Sequence, residues 1–296
     1  MHNASLMAAH ECRYYQRLDD GRVECQLCPH HCKIANGKTG ICRSRKDLDG
    51  VLISEVYAKP CSLAIDPIEK KPLYHFHPGT KCLSLACTGC NFRCLNCQNH
   101  EISQVAPSEA GYYDLSPQQV VDLCLEHHCP GIAYTYTEPL TYIEYITDIA
   151  RLAHENGLWN ILVTAGYVCR EPLADLLPYL DAANIDLKSF SDDIYQRISG
   201  GHLSVVLDTI LAMRDAGVWI ELTNLIIPGI NDDMDMIRQM CQWIVANGLD
   251  SAPLHFSRFF PRYKMQDLPP TPINTLKSAQ RIAQEAGIQH VYLGNV

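Results

Sequence analysis

From position 82 onward, short apolar runs alternate with stretches in which apolar residues recur every three or four positions. LSLA (83–86), GIAYTYT (131–137), NILVTAG (160–166), ANIDLKSF (183–190), IELTNLII (220–227) and PLHFSRF (253–259) read as six buried strands. The stretches between them read as helices. Ser116-Pro117 places a capping hydroxyl before a proline at the first helical position and opens a helix to about His127. Ile143, Ile146, Ile149, Ala150 and Ala153 mark one helical face, closed by Gly157. Further helices are expected near 171–180, at about 202–216 before Gly217, near 232–247 before Gly248, and from Thr271-Pro272 to Gly287. Strands alternating with helices predict a parallel sheet with right-handed crossovers, its strands buried on both faces. Six such units build either an open doubly wound sheet or a partial barrel. Either way, the reacting groups belong at the C-terminal ends of the strands.

The first 81 residues follow no such rhythm. Residues 1–58 read as a small N-terminal cysteine-rich unit that closes on a strand-like GVLISEVY (50–57). Residues 59–81, with prolines at 60, 67, 72 and 78, read as an irregular connector. Residues 82–296 form the core.

Composition narrows the function. The 296 residues are 47% hydrophobic and 19% charged, as ordinary folded chains are. Lys+Arg 24 against Asp+Glu 33 gives −9, and the densest basic stretch is only Arg43–Lys46, so no nucleic-acid partner is expected. Charged residues interrupt the first twenty positions, and no long apolar run follows. No secretory signal and no membrane association are therefore expected, and the location read from this is cytoplasmic. In that compartment the fifteen cysteines are better metal ligands than disulfide partners.

Eight of them fall in two windows. The first is Cys25-x2-Cys28-x3-Cys32-x9-Cys42, which suits a closed tetrahedral zinc site or an iron–sulfur cluster. The second lies directly after the first strand of the repeat, in LACTGCNFRCLNCQNH (85–100). Cys90, Cys94 and Cys97 can hold three irons of a [4Fe–4S] cluster and leave the fourth open to a small molecule. Cys87 would complete a four-thiolate alternative, a closed cluster or zinc site. The seven scattered cysteines read as packing.

C-x3-C-x2-C at the end of the first strand of a βα repeat, with Gly89 before it and Asn91, Phe92, Gln98 and Asn99 around it, resembles the radical S-adenosylmethionine (SAM) superfamily. The resemblance implies a partial (βα)6 TIM-like barrel. It also implies an oxidoreductase that cleaves SAM reductively at a [4Fe–4S] cluster to a 5′-deoxyadenosyl radical, which abstracts hydrogen. CPHHC (28–32), GKTGICRSR (37–45), DPIEKKPLYHFHPG (66–79), YTYTEP (134–139), IDLKSF (185–190), IIPGINDD (226–233) and HFSRFFPRYKM (255–265) are similar to the branch of the glycyl-radical-enzyme activases, such as the pyruvate formate-lyase activating enzyme. Within it they are closest to the radical SAM component of the AmmeMemoRadiSam system. The partners implied are a flavodoxin- or ferredoxin-type reductant and a small-molecule or protein substrate. That substrate is a glycyl radical enzyme, or lies among the other AmmeMemoRadiSam components.

The same resemblance assigns cofactor binding to Asn99, Thr135, Glu138, Asp186 and Lys188; Lys188 is a catalytic candidate, and so is His255, which could reach the centre from the end of the sixth strand. Each has a plainer reading. Glu138 precedes Pro139 and can serve a helix start. Asp186 and Lys188, two apart on one strand face, can form an internal ion pair. His255 can be a core residue, and Arg258 and Lys264 can bind a carboxylate or phosphate on a substrate or be surface charges. A different class of function remains open: a non-catalytic iron–sulfur electron carrier, or a binding protein organised by zinc.

Overall fold

The computed structural model describes residues 10–296; the first nine positions of the N-terminal unit lie outside the described residues. Strands β1 (His10–Glu11), β5 (Arg45–Leu48) and β6 (Val51–Ser54) form one small antiparallel sheet in the order β1-β6-β5. Strands β2 (Tyr15–Arg17), β3 (Val23–Cys25) and β4 (Lys33–Ile34) form another. The main body is an eight-stranded open sheet of β7 (Pro60–Pro67), β8 (Lys81–Cys87), β9 (Gly131–Tyr134), β10 (Trp159–Thr164), β11 (Ala182–Asp186), β12 (Trp219–Ile226), β13 (Leu254–Arg258) and β14 (Val291–Gly294), ordered β14 back to β7. All pairs from β8 to β14 are parallel. This is the expected partial barrel, built of the six predicted strands and a seventh.

The helices stand close to where the pattern puts them, at Pro117–Glu126, Ile143–Glu155, Arg170–Leu176, Leu203–Asp215, Met234–Ala246 and Ile273–Ala286. The first shows why. Ser116 Oγ accepts from the Gln119 amide at 3.3 Å and Gln119 Oε1 accepts from the Ser116 amide at 2.8 Å, a reciprocal cap.

Three expectations are corrected. Residues 59–81 are not wholly irregular: β7 pairs antiparallel with β8 from Pro60↔Cys87 to Pro67↔Lys81. Its prolines sit at the two ends of an edge strand, where a missing N–H is tolerated. VYLG, short and only half-buried, is the seventh parallel strand. Strand β11 stops at Asp186, so Lys188 lies in the loop beyond it, not two positions along the same strand face.

The segment after β7 closes the barrel from its N-terminal end. The Tyr74 and His75 amides donate to Glu221 at 2.9 and 2.8 Å, and Asn184 Nδ2 donates to the Pro72 carbonyl at 2.9 Å. The opposite end faces the N-terminal unit. Tyr14 reaches Asp175 at 2.9 Å, Tyr57 reaches Asp148 at 2.6 Å, and the Cys169 amide donates to the Leu27 carbonyl at 2.9 Å. A fully buried ion pair, Arg45–Glu144, joins the two.

Candidate active site

Residues 88–99 leave the end of β8 as a loop held on several sides. The Arg93 and Leu95 amides donate to the Ser199 and Ile198 carbonyls at 2.8 and 3.1 Å, and the Lys264 amide donates to the Leu95 carbonyl at 3.0 Å. Phe92 is buried, 4.9 Å from the Tyr167 ring, and a side chain at Gly201 would overlap it. Gly89 has φ +105°, and a Cβ there would overlap the carbonyl oxygen of Cys42. Only glycine fits both the backbone and the approach.

Within this loop Cys90, Cys94 and Cys97 lie near one another. Burial pushes the Cys90 thiol well up, with Glu138 and Cys94 adding to it. Burial also raises Cys94, against the pull of Lys188. Each sulfur has a polar neighbour. The Phe92 amide donates to Cys90 Sγ at 3.3 Å, Ser103 Oγ lies 3.1 Å from Cys97 Sγ, and Ser199 is a neighbour of Cys94. Cys87 is directed elsewhere: fully buried, its thiol donates to the Val56 carbonyl at 3.5 Å and its cysteine neighbour is Cys61. Three thiols with donors around them, and a fourth turned away, suit a cluster with one open iron.

The cofactor-binding candidates gather around this loop. Asn99 Nδ2 donates to the Tyr136 carbonyl at 2.7 Å, which ties the loop to the end of β9. Thr135 is buried and its amide continues the sheet onto the Leu85 carbonyl at 3.0 Å. Glu138 is buried, and its carboxylate accepts from Thr164 Oγ1 at 2.6 Å and from the Ala165 and Leu140 amides at 2.7 and 3.2 Å. Burial nonetheless raises its pKa. Its three protein donors fit the helix-start reading and leave it fixed beside Cys90. Asp186 and Lys188 form an ion pair of 2.7 Å at the end of β11, with 39% and 27% of their side chains exposed. Burial alone would lower the Lys188 ammonium; Asp186 and Cys94 more than reverse this and raise it.

His255 is not brought to the site. It lies near the start of β13, opposite Thr223, and its Nε2 donates to Glu221 at 2.7 Å in the layer that closes the far end of the barrel. His255→Ala is therefore expected to cost about 2–3 kcal/mol in urea unfolding, the price of a buried carboxylate losing a partner. Turnover per folded chain should stay within about twofold of wild type, because removing a buried partner acts on stability. Loss of turnover at unchanged stability would restore His255 as a catalytic group. Arg258 is also engaged, its Nε on the Thr271 carbonyl at 2.8 Å, and the Lys264 ammonium lies 5.2 Å over the Tyr263 ring.

Cys25, Cys28, Cys32 and Cys42 line a single cavity with His30, Arg45 and Asn91. Among the described residues no three His, Cys, Asp or Glu side chains converge tightly enough to hold a single ion. That holds for this set and for the Cys90 set alike. Sequence reasoning missed Ser103, Ser199 and the Arg45–Glu144 pair. No local pattern links residues so far apart; the one available hint was a charged residue at position 144, on the apolar side of a helical stretch.

The sequence from 85 to 244, more than half the chain, matches the model of the radical SAM superfamily. The chain is 47% identical over 286 residues to an uncharacterized protein of Methanocaldococcus jannaschii, covering 97% of this chain and 85% of that one. It is 25% identical over 215 residues to the pyruvate formate-lyase 1-activating enzyme of Escherichia coli, covering 67% and 87%. In fold it is similar to a radical SAM methyltransferase from Sphaerobacter thermophilus, with a TM-score of 0.57 at 12% identity, covering 96% of this chain and 76% of that one. Among the described residues no helix is long and apolar enough to cross a membrane. A cysteine-bearing loop at the end of the first barrel strand and these matches lead to one conclusion: the chain is an enzyme of the radical SAM superfamily, with relatives among the pyruvate formate-lyase activating enzymes.

Proposed function

We propose that the protein binds a [4Fe–4S] cluster through Cys90, Cys94 and Cys97 and SAM at the open iron, and cleaves the SAM reductively. The observation that carries this reading is that Cys90, Cys94 and Cys97 share one loop at the end of β8, with the Phe92 amide on Cys90 and Ser103 beside Cys97, while Cys87 bonds Val56. When bound, the cluster supplies the electron that splits SAM into methionine and a 5′-deoxyadenosyl radical. The protein's own residues bind and enclose. Asp186 and Lys188, partly exposed beside Cys94, offer a carboxylate and an ammonium to the charged end of SAM. Thr135, Glu138 and Asn99 fix the wall of the pocket, and the packed loop excludes water from the reacting centre.

The substrate reading follows from resemblance. The chain serves as the radical SAM component of an AmmeMemoRadiSam system, acting on a small molecule or on a protein component of it. Activation of a glycyl radical enzyme, the reaction for which the E. coli relative is named, is the second reading. A flavodoxin- or ferredoxin-type protein is the reductant. Protein reconstituted anaerobically and given dithionite and SAM should release 5′-deoxyadenosine. No release from protein whose cluster is demonstrably present would overturn the proposal. A glycyl radical seen by electron paramagnetic resonance with a candidate partner would select the second substrate reading.

A further inference from the structure

We propose that Tyr136 is a positioning residue: its phenol, clamped inside the barrel by Asp66 and Lys71, holds the turn after β9 in a strained form that fixes the cysteine loop and the adjoining wall of the SAM pocket. That this wall serves SAM rests on the function proposed above; the clamp itself does not.

The turn is strained by its residue type. Tyr136 has φ +67°, and across it the Thr137 amide donates to the Thr135 carbonyl at 2.9 Å. A three-residue turn closed this way, with positive φ at its centre, is the rare and strained kind. Glycine takes such a φ freely, whereas an aromatic side chain crowds its own backbone. Strain of this sort persists only where the surroundings impose it, and it gathers at active sites.

The imposing contacts lie at the far end of the phenol. Asp66 is near the end of β7, opposite Cys82 at the start of β8. The ring therefore runs from the reacting end of the barrel toward the end closed by residues 72–75. There the Tyr136 hydroxyl donates to Asp66 Oδ2, which also accepts from Lys71 Nζ at 2.6 Å, while Lys70 Nζ donates to Asp66 Oδ1 at 2.7 Å. Lys71 Nζ stands 3.3 Å from the phenol oxygen and 4.5 Å from the ring centroid. Lys71 is fully buried and Asp66 nearly so. Burial alone would raise the Asp66 carboxyl; the two ammoniums and the phenol outweigh it and hold it well below the ordinary range. Burial, and then Asp66, push the phenol up. Asp66 is therefore ionised and Tyr136 protonated across the working pH range, and the clamp stays closed. An ion pair between Asp66 and the two lysines would be complete without the phenol; nothing in it requires a left-handed tyrosine.

What the clamp holds is the cysteine loop. The Tyr136 carbonyl accepts from Asn99 Nδ2 at 2.7 Å, and rotating φ at 136 into the ordinary negative range would swing that carbonyl away. The Asn99 carbonyl in turn accepts from the Ile102 and Ser103 amides at 3.1 and 3.0 Å. This starts the short helix His100–Ser103 and sets Ser103 Oγ 3.1 Å from Cys97 Sγ. On the other side of the turn, Thr137 Oγ1 donates to the Cys87 carbonyl at 2.8 Å, and Glu138 follows. One side chain thus connects the closed end of the barrel to the loop that carries Cys97 and to Glu138.

Three substitutions separate the clamp from packing. Tyr136→Phe keeps the ring and loses the hydroxyl, Tyr136→Ala loses both, and Tyr136→Gly loses both but relieves the turn. Labelled SAM is dialysed to equilibrium against protein of equal iron content with its cluster oxidised, where no cleavage occurs. Dissociation constants should rise about tenfold in Tyr136→Phe and Tyr136→Ala and stay within about threefold of wild type in Tyr136→Gly. Amide hydrogen exchange of residues 97–104, measured without SAM, should follow the same order: faster in Tyr136→Phe and Tyr136→Ala, near wild type in Tyr136→Gly. Packing alone predicts the reverse, with Tyr136→Phe mildest and Tyr136→Gly worst. That reverse order in either measurement, wild-type exchange in Tyr136→Phe, or equal SAM affinity in all four proteins would overturn the proposal. The expected exchange order in protein that binds no SAM at all, wild type included, would instead refute the proposed function and leave the clamp standing.

Discussion

Cys94→Ala should lower 5′-deoxyadenosine release on the order of 10³-fold, whereas Cys87→Ala should leave it within about twofold of wild type. The contrast follows from where the two sulfurs point. Cys94 lies near Cys97 and Lys188, and its loss leaves too few thiolates to hold a cluster with a single open iron. Cys87 is packed in the core with its thiol on the Val56 carbonyl, so its replacement removes a small buried group and costs about 1 kcal/mol. Iron content checks the result independently of turnover. Cys87→Ala should bind as much iron as wild type, and Cys94→Ala should bind less. Loss of iron and turnover together in Cys87→Ala would mean that the cluster uses four thiolates.

Arg45→Met should destabilise the folded protein by about 3–5 kcal/mol in anaerobic chemical unfolding. It removes the cation from an ion pair whose two side chains are each 1% exposed, and leaves Glu144 buried with the Arg13 amide at 3.0 Å as its remaining donor. Arg45→Met/Glu144→Met should recover most of the loss, because the damage lies in the uncompensated charge. The pH dependence should change sign. Burial pushes the Glu144 carboxyl up, but Arg45 outweighs it and holds the pKa below the ordinary value. In wild type its contribution is present above the ordinary glutamate range and is lost as pH falls toward the depressed value. Without Arg45, burial is expected to raise that pKa, so the variant should gain stability as the medium is acidified from neutrality toward the ordinary range. A variant as stable as wild type at neutral pH would mean that the pair does not hold the N-terminal unit to the barrel.

These two experiments probe features of different legibility. C-x3-C-x2-C was visible because its cysteines lie within eight residues and because it follows an apolar strand in a repeating pattern. The helices were readable for a similar reason: Ser116-Pro117 and the closing glycines act through neighbours a few residues away. β7 was hidden because its prolines argue against a strand unless the strand is known to lie at an edge, which is a property of the sheet. His255 could not be placed from sequence. Whether a strand residue faces the reacting end or the closed end depends on register, here Thr223↔His255 and a carboxylate thirty-four residues away.

By itself the sequence determined the βα alternation, the loop that carries three clustered cysteines and a second set of four, since each is a short-range pattern. The tertiary structure decided what surrounds each cysteine. It turned Cys87 toward Val56, joined Arg45 to Glu144 across ninety-nine positions, and set Cys42 against Gly89. The physical reason is that metal chemistry and buried charge depend on separation in space. Chain spacing fixes that separation within a loop, and only packing fixes it between the N-terminal unit and the barrel.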